Sequence, residues 1–147
     1  MGDPGSIVGT ISLGLQLVQG VSKYYTRFSS YSEDIAAVIV RTERLEAILR
    51  VLEGPIQRLQ SNGDSRNPIT EETRSCLADC LTAISNLEQY QRKCTETRPA
   101  SDAFVMKMLK TKKQLEFPFR KDSLEDLQKI LDRLLENIVV VLQALQL

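Results

Sequence analysis

Histidine and tryptophan are both missing from this chain of 147 residues. Without histidine there is no imidazole to act as general base, to ligate zinc, or to activate a serine or cysteine nucleophile. An excess of charge is missing too, since 19 basic residues balance 19 acidic ones. A neutral chain is a poor general binder of nucleic acid, because that affinity rests on neutralising phosphates. Cysteine is scarce and odd in number, at three, which does not suit the disulfide framework of a small secreted domain. Cys76, Cys80 and Cys94 fall near an apolar helical stripe and read as buried free thiols of a cytoplasmic protein. No signal peptide is legible, because Asp3 stands where a basic segment belongs and no clean cleavage site follows. "MGDPGS" fits the loose acylation pattern at Gly2, but the Asp3-Pro4 pair speaks against it. Nor is there a phosphate loop: the early glycines are not followed by Lys-Ser/Thr. Acidic residues sit beside basic ones on helix exteriors, as in "RTERLE" and "DLQKILDR". The expectation is a non-enzyme with no cofactor and no metal.

Leucine, glutamine, lysine and glutamate are plentiful, and they predict an all-α protein. In "GDPGSIVGTISLGLQLVQGVSKYY", Asp3 and Pro4 open a helix that should run to about Phe28. Ile7, Ile11, Leu15, Val18, Val21 and Tyr25 share one face, widened by Val8, Leu13 and Leu17. Opposite them lie Gly5, Gly9, Ser12, Gln16, Gln19, Gly20 and Lys23. The 18 residues from Gly5 to Ser22 carry no charge, so even the polar face is neutral.

A second helix should start at a capping box of Ser30 and Glu33. Its stripe is Ile35, Val38, Thr42, Leu45, Leu49 and Leu52, continuing to Ile56 and Leu59 past a kink or interruption at Gly54-Pro55. "SNGDSRNP" reads as a loop. Thr70 caps a third helix with Leu77, Cys80, Ile84, Leu87 and Cys94 on its core face. Beyond "TETRPAS", Ser101 caps a short helix from Asp102 to about Leu115, ended by "FPF". In the last helix, capped by Ser123 with Asp126, the residues Leu124, Leu127, Leu131, Leu134, Ile138, Val141 and Leu145 form an unbroken heptad seam. Ile130, Leu135, Val139, Val140 and Leu142 widen it to a core-facing surface. The architecture expected is four long helices in a bundle plus one short helix, with an apolar, glycine-containing helix first. Residues 1–147 make one domain. The chain stops while still helical and apolar, which predicts a unit excised from a larger receptor.

Two stretches invite a functional reading. Around the short helix, Lys107, Lys110, Lys112, Lys113, Arg120 and Lys121 interleave with Phe104, Met106, Met108 and Leu109. They form either a solvated connector or a surface for anionic lipid. The uncharged first helix is either a buried bundle helix or a conditional membrane segment. At 1.5 Å per residue its 18 residues would span about 27 Å, enough for a thin hydrocarbon core.

"DPGSIVGTISLGLQLVQGVSKYY" and "FPFRKDSLEDLQKILDRLLENIVVVLQALQL" resemble the two ends of the HeLo-like domains that open fungal NLR-like (STAND) and ankyrin-repeat proteins. "TERLEAILRVLEGPIQRL" between them is in keeping. The group is related to HeLo, HELL and MLKL-type four-helix bundles. The resemblance implies a cell-death effector of fungal innate immunity and heterokaryon incompatibility, moving from cytoplasm to plasma membrane once clustered. Its partners would be anionic membrane lipids, other copies of itself, and a nucleotide-binding or ankyrin-repeat region further along the same chain. Membrane insertion would fall on Ile7, Gly9, Ile11, Gly14, Leu15, Val18, Gly20 and Val21, with Lys107, Lys110, Lys112 and Lys113 as candidate headgroup contacts. The regular GxxxGxxxG zipper of some relatives is absent, since Gly9, Gly14 and Gly20 are five and six apart. The alternative is a soluble helical adaptor or scaffold. A first helix fully buried, with its glycines against neighbours, would favour the adaptor; an exposed apolar face would favour the effector.

Overall fold

In a computed structural model, residues 6–61, 71–96, 102–111 and 117–145 are described, and they are all-helical apart from turns. The helices are α1 (Ser6–Thr26), α2 (Glu33–Ser61), α3 (Glu71–Glu96), α4 (Asp102–Thr111) and α5 (Lys121–Leu145). The expected roles of Asp3, Pro4, Thr70, Ser101, Lys112 and Lys113 lie outside the described residues. So do those of the side chains of Ile7, Val8, Ile56, Leu59 and Leu145.

The heptad stripes become the core. On α2, Ile35, Val38, Thr42, Leu45, Leu49 and Leu52 are all 0% exposed. Thr42 satisfies its hydroxyl by donating to the Ile39 carbonyl at 2.7 Å. Leu124, Leu127, Leu131, Leu134, Ile138 and Val141 do the same for α5. Val140 departs from expectation. It is 43% exposed and does not widen the core face.

Side-chain contacts fix the directions of the helices. Gly14 approaches both Leu49 of α2 and Ile84 of α3, while Gln19 donates to Glu46 of α2. Moving up α1 therefore means moving down α2, and the pair is antiparallel. Gly20 meets Gln91 of α3, so α1 and α3 are parallel. Arg41 pairs with Asp132 at 2.9 Å and Gln128 donates to the Asp34 carbonyl, which makes α2 and α5 parallel. The four long helices form a closed ring in the order α1, α2, α5, α3. The segment between α2 and α3 thus joins diagonal partners. Short α4 follows α3 and buries Val105, Met108 and Leu109.

Three boundaries differ from expectation. The cap of α2 is Ser32, whose Oγ accepts from the Asp34 amide at 3.1 Å; Ser30 lies in the preceding turn. Of the kink or interruption expected at Gly54-Pro55, an interruption does not occur, since α2 continues to Ser61. The amide that Pro55 lacks would have bonded to Val51, which faces solvent at 65% exposure, so water can take that carbonyl. At α5 the first bond runs from the Leu124 amide to the Arg120 carbonyl at 3.0 Å. Ser123 is therefore buried inside the first turn and does not cap it. The last described residue of α1 is Thr26, after which Phe28 sits in a turn bonded to the Tyr25 carbonyl at 2.9 Å.

Candidate functional site

The first helix is docked along its whole described apolar face. Ile11, Leu15, Val18 and Val21 are buried, as are Leu17 and Tyr25. The glycines divide by position. Gly9 is exposed and a Cβ there would meet nothing within 4 Å. Gly14 is buried, and a Cβ would stand 3.2 Å from Ile84 Cδ1. At Gly20 a Cβ would run into the Gln91 side-chain amide. Gly14 therefore serves close approach of α1 to α3, while Gly20 meets the end of a flexible side chain of α3.

Few polar contacts pin α1. Gln19 donates to the Glu46 carboxylate at 3.3 Å, and Arg50 holds the same carboxylate at 2.9 Å. Those two donors, Arg50 first, hold the Glu46 carboxyl below its ordinary range. The other anchor is at the end of the helix. The Tyr25 hydroxyl donates to the Pro118 carbonyl at 3.0 Å and shares a hydrogen bond with the Tyr90 hydroxyl at 2.9 Å. Around this pair lie Tyr24, Phe28 and Phe119, with Phe28 and Phe119 meeting edge to face at 5.1 Å. Burial pushes the titration of both tyrosines well above its ordinary range. The peptide bond before Pro118 is cis. Helices α1 and α3 and the turn before α5 are thus tied at one end by a buried phenol pair and a cluster of rings.

That latch was half visible in the sequence. Tyr25 belongs to the apolar stripe of α1, and Tyr90 continues the run Leu87, Tyr90, Cys94 on α3. A tyrosine on a core face needs a partner for its hydroxyl, but spacing does not say which one.

Lys107 and Lys110 are exposed on α4, which makes no close backbone contact with α1 among the described residues. Cys80 and Cys94 are buried and Cys76 half-buried, all as free thiols. Desolvation pushes the Cys80 and Cys94 thiols up to about 12, so both stay protonated and unreactive at neutral pH. Among the described residues no three metal-ligating side chains cluster, and no helix is long and apolar enough to cross a membrane.

A concavity lies between α3 and α5. It has a volume of about 420 Å³ and is lined by Lys93, Lys129, Arg133 and Asp126 among others.

No protein-family profile matches the chain, and no solved structure does either. Azaphilone pigments biosynthesis cluster protein L of Monascus ruber is 27% identical over 124 residues, which cover 84% of this chain and 25% of that protein. The chain therefore spans about a quarter of the length of the curated relative it matches.

Proposed function

We propose that this chain is a non-enzymatic helical signalling domain of a larger protein, a four-helix bundle with a short fifth helix, working through assembly with partner helices. The observation that carries this reading is the docking of α1. Its described apolar residues lie mainly in the core, and Gly14 packs closely on Ile84 of α3. A match to one quarter of the Monascus protein suits a module within a longer chain.

One feature favours a second reading, the membrane-targeting death effector. The stretch from Ser6 to Ser22 carries no charge, and its described contacts with the bundle are mainly apolar. Such a helix can exchange protein for lipid once clustering raises its local concentration.

The two readings part in a vesicle experiment. Glutamate at Leu15 or Val18 would unfold the core, so the informative positions are exposed Gly9 and Gln16. A Gly9→Glu/Gln16→Glu variant keeps the bundle but places two charges on α1, each costing about 2.5–3.5 kcal/mol at mid-bilayer. The domain is clustered on a scaffold and dye release is followed from vesicles of graded anionic lipid. The adaptor reading expects no release from wild type at any composition. Release by wild type that the folded variant abolishes would replace it with the effector reading.

A further inference from the structure

We infer that the outward face of α2 binds the same face of a second copy of this chain, with the two helices antiparallel. The inference rests on the reading of the domain as one that assembles through helices, and it names the partner. Opposite the buried stripe of α2 run Ala36, Val40, Glu43, Ala47 and Val51, recurring every three or four residues. Val40 and Val51 are 50% and 65% exposed, and Ala47 is exposed between them. Every other described helix exposes at most one large apolar side chain. The outward lines of the other long helices are mainly polar, with Gln16 and Lys23 on α1, Thr82 and Gln89 on α3, and Glu125 and Glu136 on α5. Among the described residues α2 is thus the long helix that is apolar on two faces, and only one of them is covered.

Charge selects the occupant. At the flanks of α2, Arg41 and Arg50 are held by Asp132 and Glu46, each at 2.9 Å. Glu43 and Arg44, both exposed, form no ion pair among the described residues. Two such faces set parallel would put Glu43 beside the partner's Glu43 and Arg44 beside the partner's Arg44, which repel. Set antiparallel, with Val40 opposite the partner's Val51, each Glu43 comes within one helical turn of the partner's Arg44. Two-fold symmetry makes that ion pair twice. Ala47 then lies opposite the partner's Arg44, and its small side chain leaves room for the aliphatic stem of the arginine. Position 55 follows the line of Arg44 at the edge of the stripe, so the Val51 carbonyl that lacks an amide stays at the wet rim.

The test is sedimentation of the full chain from micromolar to millimolar concentration, since one helix pair makes a small interface of the transient kind. The apparent mass should rise from 16.6 kDa toward twice that value. Val40→Glu/Val51→Glu should hold the chain at the monomer mass with unchanged helical circular dichroism, because both positions lie outside the core. Arg44→Glu should weaken the dimer by about tenfold, and Glu43→Arg/Arg44→Glu should restore it, as opposite charges facing each other across two copies require. Wild type that stays monomeric at millimolar concentration would overturn the second copy, while the adaptor reading would still stand or fall on dye release alone. A dimer that survives in the valine variant would overturn this face. Failure of the charge exchange to restore the dimer would overturn the antiparallel order. A monomeric wild type that binds anionic vesicles, with binding lost in the valine variant, would replace the second copy with a lipid surface.

Discussion

At the scale of the residue, the Tyr25 hydroxyl joins α1 to α3 and to the turn before α5 through two buried bonds. Tyr25→Phe removes both and strands the Pro118 carbonyl and the Tyr90 phenol with only their mutual contact at 3.5 Å. The expected loss is about 1–3 kcal/mol, read as a lower urea midpoint at unchanged slope. Titration gives a second expectation. Cys80 and Cys94 move from 9.0 when free to about 12 when folded, and Tyr25 and Tyr90 also move upward. A pKa raised by folding means that the unfolded chain loses its proton first. These groups therefore contribute their full stabilising effect below pH 9, and it drains away as pH rises toward 12. Urea midpoints should fall steadily across that alkaline window, and Cys94→Ala should make the fall shallower. With histidine absent, no side chain titrates near neutrality in the ordinary case. Midpoints should then be nearly level between pH 6 and 8.

At the scale of the element, α1 holds three glycines with three different surroundings, and alanine at each should sort them. Gly9→Ala should stabilise by about 0.5–1 kcal/mol, because its Cβ meets open space and helix propensity improves. Gly20→Ala displaces only the end of the flexible Gln91 side chain and should be milder in effect. Gly14→Ala must push against Ile84, which is 2% exposed and has little room to yield, so it should destabilise. Thermal midpoints in the order Gly9, Gly20, Gly14 check this; an inverted order would mean that α1 packs otherwise. The sequence carried the stripes well. Hydrophobic period alone located the buried residues of α2 and α5, because one wrong turn of a helix would expose every leucine at once. It did not carry the caps. Ser30, Ser32 and Ser123 look alike in one dimension, and only the path of the preceding chain decides which hydroxyl meets an amide. The partner of Gly14 and the α3–α5 cleft were equally out of reach, since both depend on which helices adjoin.

At the scale of the whole molecule, the ring α1, α2, α5, α3 sets parallel helices side by side, and neither parallel pair is joined by a short turn. The four helices are therefore held together by packing across the core, with the phenol latch at one end. Loss of the latch should loosen that end first, and hydrogen exchange in Tyr25→Phe should rise most in the last turns of α1 and α3.

Direction along the ring has a mechanical consequence. Since α1 opposes α2 and α2 runs with α5, the start of α1 and the finish of α5 lie at the same end of the bundle, opposite the tyrosine latch. Tension applied between Ser6 and Leu145 therefore opens the bundle like a clasp, loading one turn at a time, with Gly9 at the yielding edge and Tyr25 at the hinge. A shearing pull between Ser6 and Lys121 would load all the turns of α1 together. The domain should resist the second pull far more strongly than the first.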